Sequence, residues 1–243
     1  MLKKISILII IAIIATIVFY FIRDNSPQQV FYQEKRVIMG TFVEVISADR
    51  IAHDIVFNEL IRVERLLSKY DPQSEVYRLN RSGKLRVSQE TFYVISKAKE
   101  FCAQTNGAFD ITIGPLMDLW GFTSKEYLLP SEAEIRNALR LVGCDKIILR
   151  AKDNMIQFKT RGMKIDLGGI AKGYAIDCAV RKLREAKIDS CLINAGGQIY
   201  CLGSKSSQPW KIAIRDSRKK NGVAGYLSLK DKAVATSGNY EQS

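Results

Sequence analysis

The chain has 243 residues, of which 47% are hydrophobic and 26% charged, a composition typical of a globular protein with a substantial core. Its 37 basic and 25 acidic residues give a net charge of +12, which favours anionic partners such as nucleotides, lipid headgroups or nucleic acid. Because the chain has one histidine, its composition excludes a histidine-based metal cluster and disfavours a Ser-His-Asp triad.

The N-terminus predicts a membrane anchor over residues 1–23. Lys3 and Lys4 precede an uncharged apolar run over residues 5–22, which is long enough for a helix to span a bilayer. The early lysines predict that the rest of the chain lies on the extracytoplasmic, periplasmic side, beyond a polar linker at residues 24–35. A cleaved signal peptide is the alternative, but no small-residue cleavage site follows the run. An exported domain excludes nucleic acid as a partner.

The first half of the remaining chain predicts one strand and three helices. Ser88 is a typical N-cap, Asn106-Gly107 a typical helix stop, and Ser131 with Glu134 a capping box. The predicted elements are a strand over residues 37–47, interrupted at Met39-Gly40-Thr41, and helices over residues 51–69, 88–105 and 131–143.

The second half predicts a helix and a series of short strands. Residues 146–165 form two strands joined around Asp153-Asn154, and basic residues 218–220 beside Asn221-Gly222 form a hairpin tip. These elements predict an α+β fold with mixed, largely antiparallel sheets and flanking helices. The remaining predicted elements are a helix over residues 171–187 and strands over residues 190–194, 198–202, 210–215 and 225–229.

The cysteines and the histidine give no sign of a functional site. The five cysteines contain no C-x-x-C pair, and an odd, spread set indicates neither a metal site nor a disulfide framework. We therefore expect them to be mostly buried small apolar residues. His53 is expected on the surface of the first helix.

The segment over residues 165–174 is the strongest local indication of a ligand site. Asp166 ends an apolar, strand-like run, Gly168 and Gly169 follow, and Lys172 opens a helical pattern. Glycines before a helix allow a phosphate to approach backbone amides, and a first-turn lysine is unfavourable unless an anion is bound. Asp166 offers an oxygen ligand for a phosphate-bound divalent metal. There are two alternatives: the segment is a plain strand-to-helix turn whose glycines serve its geometry, or Asp166 is simply a helix-capping acid.

Three further segments combine small residues with chemically capable ones. Residues 106–115 place Asp110 and Thr112 on one side of an extended run, residues 194–197 offer bare backbone, and residues 236–238 add hydroxyls. Each segment alone is typical of a turn. Their occurrence together indicates a site.

These motifs resemble the ApbE family of FAD:protein FMN transferases, in the family's order, from about residue 36 to residue 243. The resemblance implies an ApbE-like fold related to the T-fold. The matching motifs are Met39-Gly40-Thr41, Ser68-Lys69-Tyr70, Ser74-Glu75 with Asn80, Phe109-Asp110-Ile111-Thr112, Gly114-Pro115-Leu116, Leu119-Trp120-Gly121-Phe122 and residues 165–177, 194–197 and 235–238.

The resemblance implies a magnesium-dependent, extracytoplasmic enzyme with FAD as its substrate. It would join the FMN phosphate to a threonine or serine hydroxyl of an acceptor protein, such as a subunit of a membrane redox complex, and release AMP. The backbone carbonyl of Gly169 would face Mg²⁺. The residues expected to contact FAD are Met39, Tyr70, Asp110, Ile111, Thr112, Asp166, Lys172, Thr236 and Ser237.

Family members normally continue beyond the segment that matches residues 236–238. The family's remaining metal ligands, an Asp/Thr pair, and a histidine followed by an Ile-Leu-Asp-Pro-like run lie in that continuation. We therefore expect the domain to be C-terminally incomplete, as a fragment, a frameshifted product or an inactive remnant. The functional alternatives are a membrane-anchored FAD-binding protein, an FAD pyrophosphatase and an anchored interaction protein.

Overall fold

The computed structural model describes residues 29–124, 126–216, 218–219 and 222–237. The chain divides into two compact units, Met1–Phe31 and Tyr32–Ser243. The predicted anchor at residues 5–22 lies outside the described residues, and within the described ranges no helix is long and apolar enough to cross a membrane. Strand β1 begins at Tyr32, inside the stretch predicted as a linker.

The unit Tyr32–Ser243 combines helices with short strands. Its helices are α1 (Ile51–Leu67), α2 (Glu75–Ser82), α3 (Gln89–Gln104), α4 (Gly114–Leu119), α5 (Glu132–Leu139) and α6 (Gly168–Glu185), with 3₁₀ turns at Ile111–Ile113, Cys144–Lys146 and Ala151–Asp153. Its strands are β1 (Tyr32–Ile38), β2 (Thr41–Ser47), β3 (Lys84–Arg86), β4 (Ile147–Arg150), β5 (Met155–Phe158), β6 (Cys191–Ala195), β7 (Gln198–Leu202), β8 (Trp210–Arg215), β9 (Val223–Leu229) and β10 (Lys232–Ala235).

In the part of the chain that the structure describes, the strands form three sheets in which every pairing is antiparallel. The main sheet has the order β1-β2-β6-β7-β10, a second has the order β3-β5-β4, and β8 pairs with β9 in a two-stranded ribbon. The predicted α+β class is confirmed. Elements α2, α4, β3 and β10 were not predicted.

The prediction of one strand over residues 37–47 is wrong. Met39 and Gly40 both have positive φ, +55° and +70°, and form the two-residue turn of a hairpin in which Ile38 pairs with Thr41. Two consecutive left-handed residues match the right-handed twist of the flanking strands. The chain therefore reverses direction at Met39-Gly40.

The core lies between the main sheet and helices α1 and α6. Val45 of β2 and Ile193 of β6 are fully buried, as are Phe57 of α1 and Leu183 of α6. Helix α1 packs against both α6 and the first hairpin. This packing fixes α6, whose first turn follows Asp166, relative to the sheet.

The predicted helix starts are confirmed where side-chain caps mark them, whereas α5 ends at Leu139 rather than near Gly143. Ser88 accepts a hydrogen bond from the Thr91 amide at the start of α3, and Ser131 and Glu134 form the predicted capping box of α5. Helix α6, however, begins at Gly168 rather than Ala171, so Gly168 and Gly169 lie in its first turn.

Two predictions about cysteine and histidine are wrong. Cys102 and Cys144 form a disulfide, which their 42-residue separation did not reveal. His53 is 4% exposed, and its ring nitrogens lie 3.1 Å from the Arg50 carbonyl and 3.2 Å from the Tyr32 carbonyl. These backbone partners satisfy a polar ring in a buried position. The other cysteines, Cys178, Cys191 and Cys201, are free and buried, as expected.

Candidate functional site: the corner before helix α6

The backbone before α6 is held by partners from distant parts of the chain. The Asn80 side chain donates to the Ile165 carbonyl (2.9 Å) and accepts from the Ile165 amide (2.8 Å). The Asp166 amide donates to the Ile111 carbonyl at 2.7 Å. The run around Ile165 was predicted as a strand, but among the described residues it has no strand neighbour. A side chain and a turn satisfy its backbone instead.

Asp166 connects the start of α6 to Lys69. One carboxylate oxygen accepts from the Gly168 amide at 2.8 Å, and the other lies 2.8 Å from the Lys69 amine. The two side chains are only 16% and 10% exposed. Burial works against the charged form of Lys69, but the Asp166 carboxylate raises the lysine pKa above its ordinary value. Asp166 therefore binds the first turn of the helix, as the capping alternative proposed, and also forms a shielded ion pair.

The ion pair continues into a chain of polar contacts. The Lys69 amine donates to the Thr123 hydroxyl at 3.1 Å, and that hydroxyl donates to Asp118 at 2.6 Å. The second oxygen of Asp118 pairs with Lys164 at 2.6 Å. Burial opposes ionisation of Asp118, but Lys164 lowers its pKa. No role was predicted for Lys69, Asp118 or Thr123, although Lys69 lies between two residues of a matching motif.

Lys172 and Gly169 lie in the first turns of α6. The Lys172 amine is 3.4 Å from the Gly168 carbonyl, so it stays near the helix start. A Cβ atom at Gly169 would lie 3.0 Å from the Phe109 ring, which makes a side chain there possible only if the ring moves. The backbone at Gly168 and Gly169 is exposed and thus open to a ligand.

Ile111 and Thr112 lie in a 3₁₀ turn that begins after Asp110, so the predicted extended run is wrong. Asp110 caps the turn by accepting from the Thr112 amide (2.7 Å) and hydroxyl (2.6 Å). The Thr112 hydroxyl also accepts from the Gly143 amide at 2.7 Å. Ile111 and Thr112 are buried. Aspartate favours this local cap over an extended backbone. The Ile111 carbonyl, rather than its side chain, contacts Asp166.

A second group of predicted residues meets at one end of the main sheet. The Gly196 amide donates to the Phe42 carbonyl beside the Met39-Gly40 turn, and the Thr236 amide donates to the Gly197 carbonyl. Met39 packs on the core, whereas Thr236 and Ser237 are exposed. These contacts bring the hairpin turn, the glycine turn and the end of β10 together.

Two further observations locate the end of the main sheet next to α6 and Tyr70 next to Lys69. A Cβ atom at Gly173 of α6 would lie 2.9 Å from the side chain of Gln198, the first residue of β7, so the helix passes close to this end of the sheet. The Tyr70 ring, 59% exposed, has its centroid 5.0 Å from the Lys69 amine. The predicted site residues thus lie in a corner around Asp166 and at the adjacent sheet end.

Comparisons with known proteins agree with this fold and these motifs. The chain is 31% identical over 217 residues to an FAD:protein FMN transferase of Klebsiella pneumoniae, covering 87% of this chain and 67% of that protein. It is 28% identical over 251 residues to the Escherichia coli K12 FAD:protein FMN transferase, covering 95% and 72%. The chain therefore spans about two thirds to three quarters of the length of these relatives.

Solved structures show the same architecture. An ApbE protein of Thermotoga maritima superposes with a TM-score of 0.81 at 33% identity, covering 87% of this chain and 72% of that one. The flavin transferase ApbE of Vibrio cholerae superposes with a TM-score of 0.79 at 27% identity, covering 88% and 73%. The ApbE family model matches residues 39–243. The chain belongs to the ApbE family.

Proposed function

We propose that this chain is an FAD:protein FMN transferase. It breaks the pyrophosphate bond of FAD, joins the FMN phosphorus to a threonine or serine hydroxyl oxygen of an acceptor protein, and releases AMP. The hydroxyl proton leaves as the new phosphate ester forms. Membership of the family and the names of the relatives support this activity.

The observation on which the proposal rests is the geometry around Asp166. The partly buried Asp166 carboxylate connects the exposed first turn of α6 to one lysine, Lys69, while a second lysine, Lys172, lies one turn into the helix. Phosphoryl transfer depends mainly on positioning the phosphates and neutralising their developing charge. The helix amides and the Lys172 ammonium group meet both requirements, and Lys69 holds the Asp166 carboxylate beside them.

The proposed FAD contacts follow from where each side chain lies. Asp166 and Lys172 act at the pyrophosphate. Ile111 and Thr112 contribute backbone groups, because their side chains are buried, and Asp110 fixes their turn. The remaining proposed contacts are Met39, Tyr70, Thr236 and Ser237.

The corner offers oxygen ligands of the type that Mg²⁺ prefers. They are the Asp166 carboxylate and the backbone carbonyl of Gly169, which stands on the exposed first turn. Two protein oxygens leave most of an octahedral shell to water and substrate phosphates, which is usual for magnesium bound with nucleotides. When bound, the ion would neutralise charge on the phosphates.

We also propose that the domain lies on the extracytoplasmic side of the membrane, anchored through residues 5–22. The Cys102–Cys144 disulfide supports this location, because disulfides persist in oxidising compartments and are rare in the cytosol. An acceptor in the same compartment, such as a subunit of a membrane redox complex, fits that location.

The proposal is tested with the full chain in detergent, FAD, Mg²⁺ and candidate acceptor domains. We expect in-gel flavin fluorescence on the acceptor and one AMP released for each flavin attached. AMP release without covalent flavin would indicate an FAD pyrophosphatase. Saturable FAD binding without AMP release would indicate a flavin-binding protein. Either result would overturn the proposed transfer.

A further inference from the structure

The loop between α4 and α5 exposes a cluster of apolar side chains. Phe122 is 48% exposed, Tyr127 73%, Leu128 63% and Leu129 89%. We call these four residues the apolar loop surface. Contiguous exposed apolar residues of this kind are uncommon on soluble domains and mark sites of interaction.

The loop is folded on itself, so these side chains are held outward. Gly121 has φ +76°, and a Cβ atom there would lie 1.8 Å from the Glu126 carbonyl oxygen, a distance that admits only glycine. The Leu128 amide donates to the Trp120 carbonyl at 3.3 Å. The Phe122 and Tyr127 rings meet edge to face with centroids 5.5 Å apart. A surface fixed in this way loses little entropy on binding.

The same loop contacts the corner before α6. Thr123, next to Phe122, accepts a hydrogen bond from Lys69, and Lys69 pairs with Asp166. The Lys69 amine therefore contacts both the loop, at Thr123, and the Asp166 carboxylate that binds the first turn of α6. Tyr70, exposed beside Lys69, adds a further aromatic ring next to the corner.

We propose that the apolar loop surface docks the acceptor protein, through apolar side chains that flank the hydroxyl residue to be modified. This inference rests on the proposed function. An acceptor hydroxyl must reach the phosphate at the corner, so the segment that delivers it passes over the neighbouring surface. There, the aromatic side chains are of the type enriched at the centres of protein interfaces, and the exposed leucines add apolar area that can be buried beside them.

The charges around the loop favour a protein segment over a lipid surface. Glu126 and Glu134 are exposed on either side of the leucines in the sequence, whereas the exposed Glu132 is neutralised by Arg136 at 3.0 Å. Carboxylates in this position are repelled by anionic lipid headgroups. They are compatible with an apolar peptide segment, particularly one with basic residues nearby.

The test compares the unmodified protein with the double variant Leu128→Ser/Leu129→Ser. The acceptor domain is one that the unmodified protein flavinylates, and Leu139→Ser on α5, 50% exposed, is the matched control. We expect kcat/KM for the acceptor to fall roughly tenfold or more in the double variant. FAD affinity and melting temperature should stay unchanged, and the control should match the unmodified protein.

Three results would overturn the docking proposal. Unchanged kcat/KM for the acceptor would show that the loop does not dock it. Weaker FAD binding in the variant would assign the loop to the flavin. Loss of binding to phosphatidylglycerol vesicles, with transfer to the soluble acceptor intact, would assign it to the membrane. If the double variant unfolds, Leu129→Asp at the 89% exposed position repeats the test. If the unmodified protein transfers no FMN, the failure lies in the proposed function itself.

Discussion

The Asn80 side chain pairs with both backbone groups of Ile165, donating to its carbonyl and accepting from its amide. The two residues are 85 positions apart in the chain. An amide side chain here replaces the neighbouring strand that a fully buried residue such as Ile165 would otherwise need. Because Asp166 follows directly, Asn80 on α2 also determines where the candidate catalytic corner begins.

Replacing Asn80 with alanine should therefore affect both stability and flavin binding. Two backbone groups would lose their partners, which costs about 1–3 kcal/mol in the free energy of unfolding. We expect a lower midpoint in urea unfolding, together with weaker FAD binding. Asn58→Ala, at an exposed position of α1, is the control and should change neither quantity. An Asn80 variant with normal FAD affinity would show that the backbone is held by other contacts.

Removing the charge of Lys172 should weaken binding of the phosphate part of FAD. The amine lies near the first turn of α6, and a hydrogen bond to a charged group contributes about 1.5–3 kcal/mol. We expect Lys172→Met to lower FAD affinity roughly tenfold to a hundredfold in a fluorescence-quenching titration, and Lys172→Arg to retain most of it.

Riboflavin, which has no phosphate, provides the internal control for Lys172. Its affinity should be the same for Lys172→Met and the unmodified protein, and Lys152→Met, at an exposed site, should leave FAD binding unaffected. An equal loss of FAD and riboflavin affinity would place Lys172 at the ring system or in the fold rather than at the pyrophosphate.

The Cys102–Cys144 disulfide should stabilise the domain and the turn at Asp110. It joins the last turn of α3 to the residue after Gly143, whose amide donates to Thr112. Closing a loop of this length in the unfolded chain contributes about 2–4 kcal/mol. We expect Cys102→Ser/Cys144→Ser to unfold at lower urea concentration, and dithiothreitol to lower the midpoint of the unmodified protein but not of the variant. Equal midpoints with and without reductant would contradict this.

The features that the sequence analysis predicted correctly depend on local chemistry. Ser88 and the Ser131–Glu134 pair bind amides within three residues of themselves, so composition alone marks the starts of their helices. The glycines and the lysine that follow Asp166 likewise indicated the start of α6, to within three residues, whereas the ligand site there stays a prediction.

The features that were not predicted from the sequence depend on contacts between distant residues or on unusual backbone conformations. A pattern cannot show that Lys69 reaches Asp166, or that Asn80 satisfies the backbone of Ile165. The hairpin at Met39 was missed because methionine is rarely left-handed, and that conformation is normally marked by asparagine or glycine.

A charged network beneath α6 should make stability depend on acidity. Arg62 of α1 pairs with Glu90 of α3 at 2.6 Å and with Glu59 at 2.8 Å, and the hydroxyl of Tyr174 on α6 donates to Glu90 at 2.8 Å. The Arg62 guanidinium holds the pKa of Glu90 below its ordinary 4.5. A lowered folded-state pKa stabilises the protein above pH 4.5, and this contribution is lost as pH falls through the folded value.

Replacing Arg62 with methionine tests this network. In this variant Glu59, which is 1% exposed, keeps Lys182 as its cation. Because the Arg62 side chain is 42% exposed, solvent screening limits the loss in the free energy of unfolding to about 1–2 kcal/mol at pH 7. We expect the difference in urea midpoint between the variant and the unmodified protein to shrink as pH is lowered from 7 to below 4.5, because Glu90 becomes protonated in both. Arg136→Met, which breaks an exposed pair with Glu132, is the control and should show no change at either pH. A difference for Arg62→Met that stayed constant across this range would mean that Arg62 stabilises the fold through packing rather than through charge.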